Sequence, residues 1–600
     1  MRAEPVDHAP SLRTRRGEPK LGRFRQPVDG TNRMPSRPMH DRPVHWGYVA
    51  GAALLVYVLA HWPALTNPYV INDDVRQQIF WMQRWNDPEI YQNDLLCRYA
   101  ESYVPWGVQA VYYVASSIIN PVQFSKVVAG VLYVVTAWLL YGLGLQFGNR
   151  RVAFAVVCAS FFFTTFLRKI SGGIAQSFAF PLLLAYLFFL ARRNLLGCAT
   201  TILVQSVFNP YIFLLSLLTH MLYLVRILGQ PLMDRLLARG SGSQKDRANG
   251  GDLRSSGTAC SSLWPLVVVH LPILAGACLM ALKYVYLKSP EFGDLLTRSA
   301  MEGLVEYTAA GRYGFLPQTS FLHEIVRPWL LVLPIQDDAL LVGWTALIVV
   351  AALLLYAFSR TDRRVDLSGF HPFGYLLPAS LILYWLSSWV FMKLFIPRRY
   401  VEFSLNIFYC VLIAVAVSIV LESYSTCRKA FSWVVLLCLI LGGARNYHIG
   451  IYNYSSDSAV YRFMETMPKT TLVAGHPNYM DNCLTFSRRK ALITYELSHT
   501  WMSGYWTVVK QRTFDFFDAY YAESSEAVRE FAGKYGVDYL VVRERDFSPH
   551  VLQSGLIYFE PFGSHVRRKV GGRSAFSVLD SEAFPVVYEH RGIRILKLGP

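Results

Sequence analysis

Residues 66–103, TNPYVINDDVRQQIFWMQRWNDPEIYQNDLLCRYAESY, decide how this chain is read. The stretch follows the first strongly apolar segment, His45 to Ala64, and precedes a long series of further apolar blocks. It concentrates polar and acidic residues where a membrane protein leaves its first span. Asp73 and Asp74 stand side by side after a strand-like Tyr69-Val70-Ile71; Asp87 and then the pair Asn93-Asp94 follow. Adjacent carboxylates repel, so a fold that holds them together commonly supplies a cation, a metal or a reacting proton. The plainer reading is a solvated loop in which Asn72 or Asp73 caps a helix over Val75 to Trp85.

A chain with 53% hydrophobic and only 16% charged residues reads as a polytopic membrane protein rather than a soluble one. The formal charge of +17 would suit nucleic acid in a soluble protein. Here Lys and Arg gather at one side of the apolar segments, the positive-inside pattern, which excludes nucleic acid as a partner. The nine cysteines form no CxxC pair and no His/Cys cluster at metal spacing. Cys97 and Cys483 would share an oxidising side, where a bridge between them is open.

Residues 1–44 read as a disordered basic cytoplasmic tail. Residues 45–444 read as a transmembrane domain of about eleven spans, with a first external loop at 65–121 and a cytoplasmic linker at 229–262. Pro105 to Ile119 is expected to lie along the outer interface as an amphipathic helix. Arg150-Arg151, Arg192-Arg193, Arg226 and Arg360 to Arg364 then all fall on the cytoplasmic side, and Lys288 to Arg327 is external. Residues 445–600 read as an extracytoplasmic α/β domain. Strand-length runs occur at Thr471–Ala474, Ala491–Tyr495, Tyr539–Val542, Val586–Tyr588 and Ile593–Leu598. Helical patterns occur at Ser458–Met467, Tyr505–Tyr521 and Ser525–Tyr535, the last closed by Gly536.

Two basic pairs break the positive-inside rule. Arg168-Lys169, in FLRKISGG, and Arg398-Arg399, in FIPRRY, both fall at the outer ends of spans, level with the acidic loop. Together they would make an anion site, since an arginine fork donates paired charged hydrogen bonds to a phosphate. Gly172-Gly173 would let backbone approach such a ligand, and snorkelling to lipid headgroups is the bland alternative. His323, His476 and His499 are unclustered and read as ordinary surface or core residues. Arg512 is expected to pair with Asp515 on one helix.

With these elements in place, the chain resembles the C-type glycosyltransferase superfamily (GT-C). The resemblance rests on Asp73-Asp74 in the first loop, Asn93-Asp94 further along it, the PRRY element (Pro397 to Tyr400) and the order of parts. The WWD-type motif of the oligosaccharyltransferase branch is missing, which argues against peptide glycosylation of that kind. The resemblance implies a mainly α, polytopic bundle followed by a small α/β domain, and an enzyme moving sugar from a polyprenyl-phosphate donor to a saccharide, lipid or protein acceptor. It implies Asp73 or Asp74 as the base, with Asp94 orienting the acceptor or helping to bind a divalent cation. Arg168, Lys169, Arg398, Arg399 and Tyr400 would hold the donor phosphate. Some members use a metal (Mg or Mn); the residues leave that open. The implied place is the outer face of a bacterial-type cytoplasmic (inner) membrane, N-terminus inside. A flippase of lipid-linked saccharide and a non-catalytic envelope-assembly protein are the competing functions. Transporters often show repeats and mid-span ionisable groups, whereas the acids here cluster in a loop.

Overall fold

The computed structural model describes residues 44–600 apart from 148–149, 241–263, 315–319, 333–339, 361–366, 391–392, 395, 424–436, 554–556, 573–574 and 600. Residues 1–43 of the tail expected at 1–44 and residues 241–262 of the expected linker lie outside that set. Crossing a hydrocarbon core of about 30 Å takes about 20 helical residues. Among the described residues, five helices meet that length and apolarity: Trp46–Thr66, Pro121–Phe147, Pro210–Gly229, Val268–Tyr286 and Arg398–Ile419. Shorter apolar helices at Ala175–Ala191, Leu195–Phe208 and Leu340–Ala352 accompany them. The mainly helical bundle followed by a small α/β region is the architecture expected from the sequence, and the chain reads as a multi-pass membrane protein.

Several boundaries differ from expectation. The segment Val152–Phe166 is broken: a helix Arg150–Phe162 gives way to a short helix Thr165–Ile170. Helix Pro210–Gly240 continues into residues expected to be linker. Helix Trp106–Ser116 has 11 residues, too few to cross, and it buries Val108 and Tyr112 against its neighbours. The two ends of the bundle gather different residues. At one end Phe147 meets Phe370 with ring centroids 4.8 Å apart, and Arg226 donates to the Tyr375 hydroxyl at 3.0 Å. At the other, Asn72 donates to the Gly450 carbonyl at 2.6 Å and Asn209 to the Ala175 carbonyl at 3.1 Å.

Strand β1 (Val70–Ile71) of the first loop pairs antiparallel with β2 (Tyr452–Asn453), where the α/β region begins. The main sheet contains β3 (Leu472–Gly475), β4 (Lys490–Ala491), β5 (Tyr539–Arg543), β6 (Val586–His590) and β7 (Ile593–Lys597), in the order β4-β3-β5-β7-β6. β3 runs parallel to β4 and β5, and β7 runs antiparallel to β5 and β6. Gly536 ends helix Ser525–Tyr535 in the left-handed conformation, φ 67°. The expected strand Ala491–Tyr495 is cut short because its end bonds elsewhere: Asp481 accepts from the amides of Tyr495 at 3.2 Å and Glu496 at 3.0 Å. Asp481 lies on helix Pro477–Ser487, which the sequence reading did not anticipate.

The first loop is not a solvated connection. Phe80, Trp81 and Tyr99 are fully buried in one core with Val473, Tyr505 and Phe517 of the α/β region. Tyr99 stacks on Tyr505 with centroids 3.5 Å apart. At roughly 1.5–3 kcal/mol for each large side chain fully buried, these residues outweigh any surface ion pair at about 0–1 kcal/mol. Cys97 and Cys483 are separate buried thiols, so the bridge left open by the sequence is not formed. Asp515 pairs with Lys534 at 2.6 Å instead of Arg512, which donates to the Leu492 carbonyl at 3.3 Å. His476 and His499 are buried, on the Ile557 carbonyl (2.9 Å) and the Tyr99 hydroxyl (3.1 Å).

Candidate active site

The acidic pair sits in a turn that points its two carboxyls in different directions. Asn72, not Asp73, caps the turn, accepting from the Asp74 amide at 3.1 Å. The helix behind it is only Val75–Gln78, followed by a 3-10 turn Phe80–Trp85. Asp73 pairs with Arg76 and accepts from the Tyr454 hydroxyl at 2.8 Å. Its side chain is 38% exposed. Asp74 turns toward the bundle, where its Oδ2 accepts from Gln176 at 3.0 Å. Burial raises the Asp74 pKa above the usual range and Asp73 adds to the shift, while Arg399, Lys169 and Arg76 oppose it.

Those opposing charges bring one member of each basic pair beside the acidic loop. Neither is a bare cation. Lys169 Nζ lies 3.1 Å from Glu402, and the Arg399 guanidinium lies 4.9 Å over the Tyr211 ring. Arg398 reaches Glu324 at 3.3 Å and Glu402 at 3.7 Å, and Arg327 joins Glu324 at 4.0 Å. Arg168 is exposed. Lys169, Arg327, Arg398 and Arg399 therefore share a network with Glu324, Glu402 and Asp74. The sequence reading missed Glu324, Arg327 and Glu402, although Glu402 stands four residues after Arg398, within one helical turn.

Two expected contributors, Tyr400 and Asp94, lie elsewhere, and the two glycines have a packing role. Tyr400 is fully buried and donates to the Leu394 carbonyl at 2.8 Å, so its phenol serves the core and not a phosphate. Asp94 caps helix Leu95–Tyr103, accepting from the Leu96 amide at 2.9 Å. Burial pushes its pKa up to about 6, and its charged neighbours are Arg512 and Lys490, not the residues around Asp73 and Asp74. Gly172 and Gly173 are small for packing reasons. A Cβ at Gly172 would come 2.7 Å from Asn72 Oδ1; at Gly173, where φ is +63°, it would come 2.6 Å from the Ser125 carbonyl.

On the other side of Asp73 lies a second cluster. Arg76 donates to Asn482 at 2.8 Å, lies 3.7 Å from Glu496, and covers the Tyr454 ring at 4.4 Å. Arg312, from the 288–327 segment, lies 3.6 Å from Glu496 and 3.8 Å over the Tyr495 ring. Two guanidinium groups thus face Asp73, Asp481 and Glu496. Burial, then Asp481 and Asp73, push the Glu496 pKa up to about 8 against the pull of the arginines. Burial likewise raises Asp481. One retained proton leaves the cluster neutral. Arg76, Asp481, Tyr495 and Glu496 also line a cavity of about 680 Å³.

The carboxylates of the first loop already have protein partners. Asp73 is tied to Arg76 and Tyr454, Asp87 to Lys469 at 2.9 Å, and Asp94 to its own helix. Among the described residues, no group of three or more His, Cys, Asp or Glu side chains is placed to hold a metal.

No family model matches the chain, and no curated protein matches it. Solved structures similar to it include the oligosaccharyltransferase of Archaeoglobus fulgidus in complex with Zn and sulfate, at TM-score 0.43 and 13% identity, covering 87% of this chain and 70% of that one. They also include ArnT from Cupriavidus metallidurans bound to undecaprenyl phosphate, at TM-score 0.39 and 11% identity, covering 93% and 99% of the two chains. At TM-scores of 0.39 to 0.43 these likenesses are too distant to assign this chain an activity.

Proposed function

We propose that the chain is an integral-membrane glycosyltransferase of the GT-C type. It moves a sugar from a polyprenyl-phosphate donor to an envelope acceptor at the outer face of a bacterial-type cytoplasmic membrane. One observation carries this reading: Asp74 of the first loop, bonded to Gln176, lies within electrostatic reach of Lys169 and Arg399, which come from two other helices at one end of an apolar bundle.

In this reading Asp73 is the general base. Its side chain is 38% exposed, which leaves it within reach of an acceptor hydroxyl, and its pairing with Arg76 fixes where it points. It takes the proton of an acceptor hydroxyl as that oxygen attacks the anomeric carbon. The bond from that carbon to the donor phosphate oxygen breaks, and polyprenyl phosphate leaves as an anion. Lys169 and Arg399 receive the charge that develops on it, and Glu402 and Glu324 hold the cationic network in place before reaction. Asp74, half-buried and bonded to Gln176 on the side of the cations, orients them. The apolar helices below suit the polyprenyl tail.

The test is transfer of labelled sugar from a panel of polyprenyl-phosphate sugars by purified protein, wild type beside Asp73→Asn. Transfer that is present in wild type and lost in a folded Asp73→Asn protein supports the reading. No transfer from any donor, with full genetic complementation by Asp73→Asn, overturns it.

A further inference from the structure

The cavity beside Asp73 has a volume of about 680 Å³, within the roughly 300–1,000 Å³ of small-molecule sites. It adjoins the transfer centre because Arg76, the partner of Asp73, forms part of its wall. Its chemistry is mixed. Asp481 and Glu496 present carboxyl oxygens, Arg76 presents guanidinium N–H groups, and Tyr495 and Phe559 present part-buried aromatic rings. The one other arginine in the wall, Arg567, is already bonded to Glu560 at 2.6 Å.

The Nε atoms of Arg76 and of Arg312 behind the wall are buried without a hydrogen-bond partner among the described residues. The Arg76 side chain is only 7% exposed. Buried N–H groups are ordinarily satisfied, so these two leave the guanidinium layer beside the cavity incompletely paired. Carboxyls in the wall disfavour a strongly anionic group, and ionic walls disfavour an acyl chain. A neutral polyol fits both. Its hydroxyls donate to Asp481 and Glu496 and accept from Arg76, while a C–H face lies on Phe559. One face of Tyr495 is already taken by Arg312.

We propose that this cavity is the acceptor site and that the group it takes is a neutral saccharide. The word acceptor rests on the transferase reading above; the saccharide site does not. Saturation-transfer NMR on the full chain in nanodiscs tests it. The probes are methyl glycosides of glucose, mannose, galactose and N-acetylglucosamine, compared with glucuronate and a short peptide.

Binding of at least one neutral glycoside is expected, weakened about tenfold by Phe559→Ala and by Glu496→Gln, each removing one good contact, and retained in Asp73→Asn. Thermal melts show that the variants are folded, and part-buried Phe559 serves as the probe if Glu496→Gln is unstable. Failure of all neutral glycosides to bind, undiminished binding in both variants, or binding of glucuronate or peptide alone overturns the proposal. Acceptor KM in the transfer assay separates the two readings. Transfer with unchanged acceptor KM in both variants sinks the cavity and leaves the transferase. Saccharide binding without any transfer sinks the transferase and leaves the cavity.

Discussion

Replacing Arg76 with alanine removes the cation shared by Asp73, Glu496 and Asn482. Asp73 is 38% exposed and screened by water, so its pair contributes only about 0–1 kcal/mol. The main loss falls on the buried side. The side chains of Arg76 and Glu496 are 7% and 10% exposed, and breaking one partner of such a pair costs about 3–5 kcal/mol. The cost has a pH signature. Wild type already retains one proton near Glu496; without Arg76 a second carboxyl of the cluster is held in its acid form. A carboxyl with a raised folded pKa favours the fold fully below its unfolded value, and that contribution is lost as pH rises through the folded value. One extra retained proton steepens the loss by about 1.4 kcal/mol per pH unit. The loss accumulates over every pH unit between the unfolded and the folded value of that carboxyl. Melting of Arg76→Ala in nanodiscs should therefore be close to wild type near pH 4.5 and well below it at pH 8. Glu496→Gln in the same background should restore part of the difference. A loss of equal size at every pH would refute this reasoning.

Three further outcomes follow from single residues. Glu496→Gln alone removes a group whose folded pKa is pushed up to about 8 from 4.5, so its melting temperature should fall less than that of wild type between pH 5 and pH 8. Asp94→Asn keeps an oxygen for the Leu96 amide while removing a carboxyl raised to about 6; it should melt with wild type near pH 4, above it at pH 7.5, and keep transfer activity. Asp94→Ala should be less stable than Asp94→Asn by about 1 kcal/mol, the worth of the cap, read from the same melts. Gly173→Ala forces a side chain into the left-handed region 2.6 Å from the Ser125 carbonyl; a destabilisation of about 1–3 kcal/mol is expected, and melting near wild type would contradict it.

Much of the fold was legible because it is written in local pattern. Apolar length, the basic turns and the Gly536 cap each act within a few residues, and they placed the bundle and most of the strands. The misses have tertiary causes. Helix Pro477–Ser487 and the shortened β4 depend on Asp481 binding the amides of Tyr495 and Glu496. The acidic loop was noticed because it gathers carboxylates beside the first span, and the two basic pairs because they broke the charge rule. What those pairs touch could not be read from spacing, except for Glu402 one turn after Arg398. Glu496 and Arg312 lie hundreds of residues from Asp73 along the chain, and only folding brings them beside Arg76. Tyr400 and Asp94 looked functional by sequence neighbourhood, yet one fills the core and the other ends a helix.

The measurement that bears most directly on the central claim is steady-state transfer from a polyprenyl-phosphate sugar, with kcat and donor KM determined separately for wild type, Asp73→Asn and Arg399→Gln. A base at Asp73 predicts a kcat lower by about a hundred- to ten-thousand-fold with donor KM little changed. A phosphate contact at Arg399 predicts a raised donor KM. Full kcat in Asp73→Asn, or a donor KM untouched by Arg399→Gln, would contradict the assignment of these residues to one transfer centre.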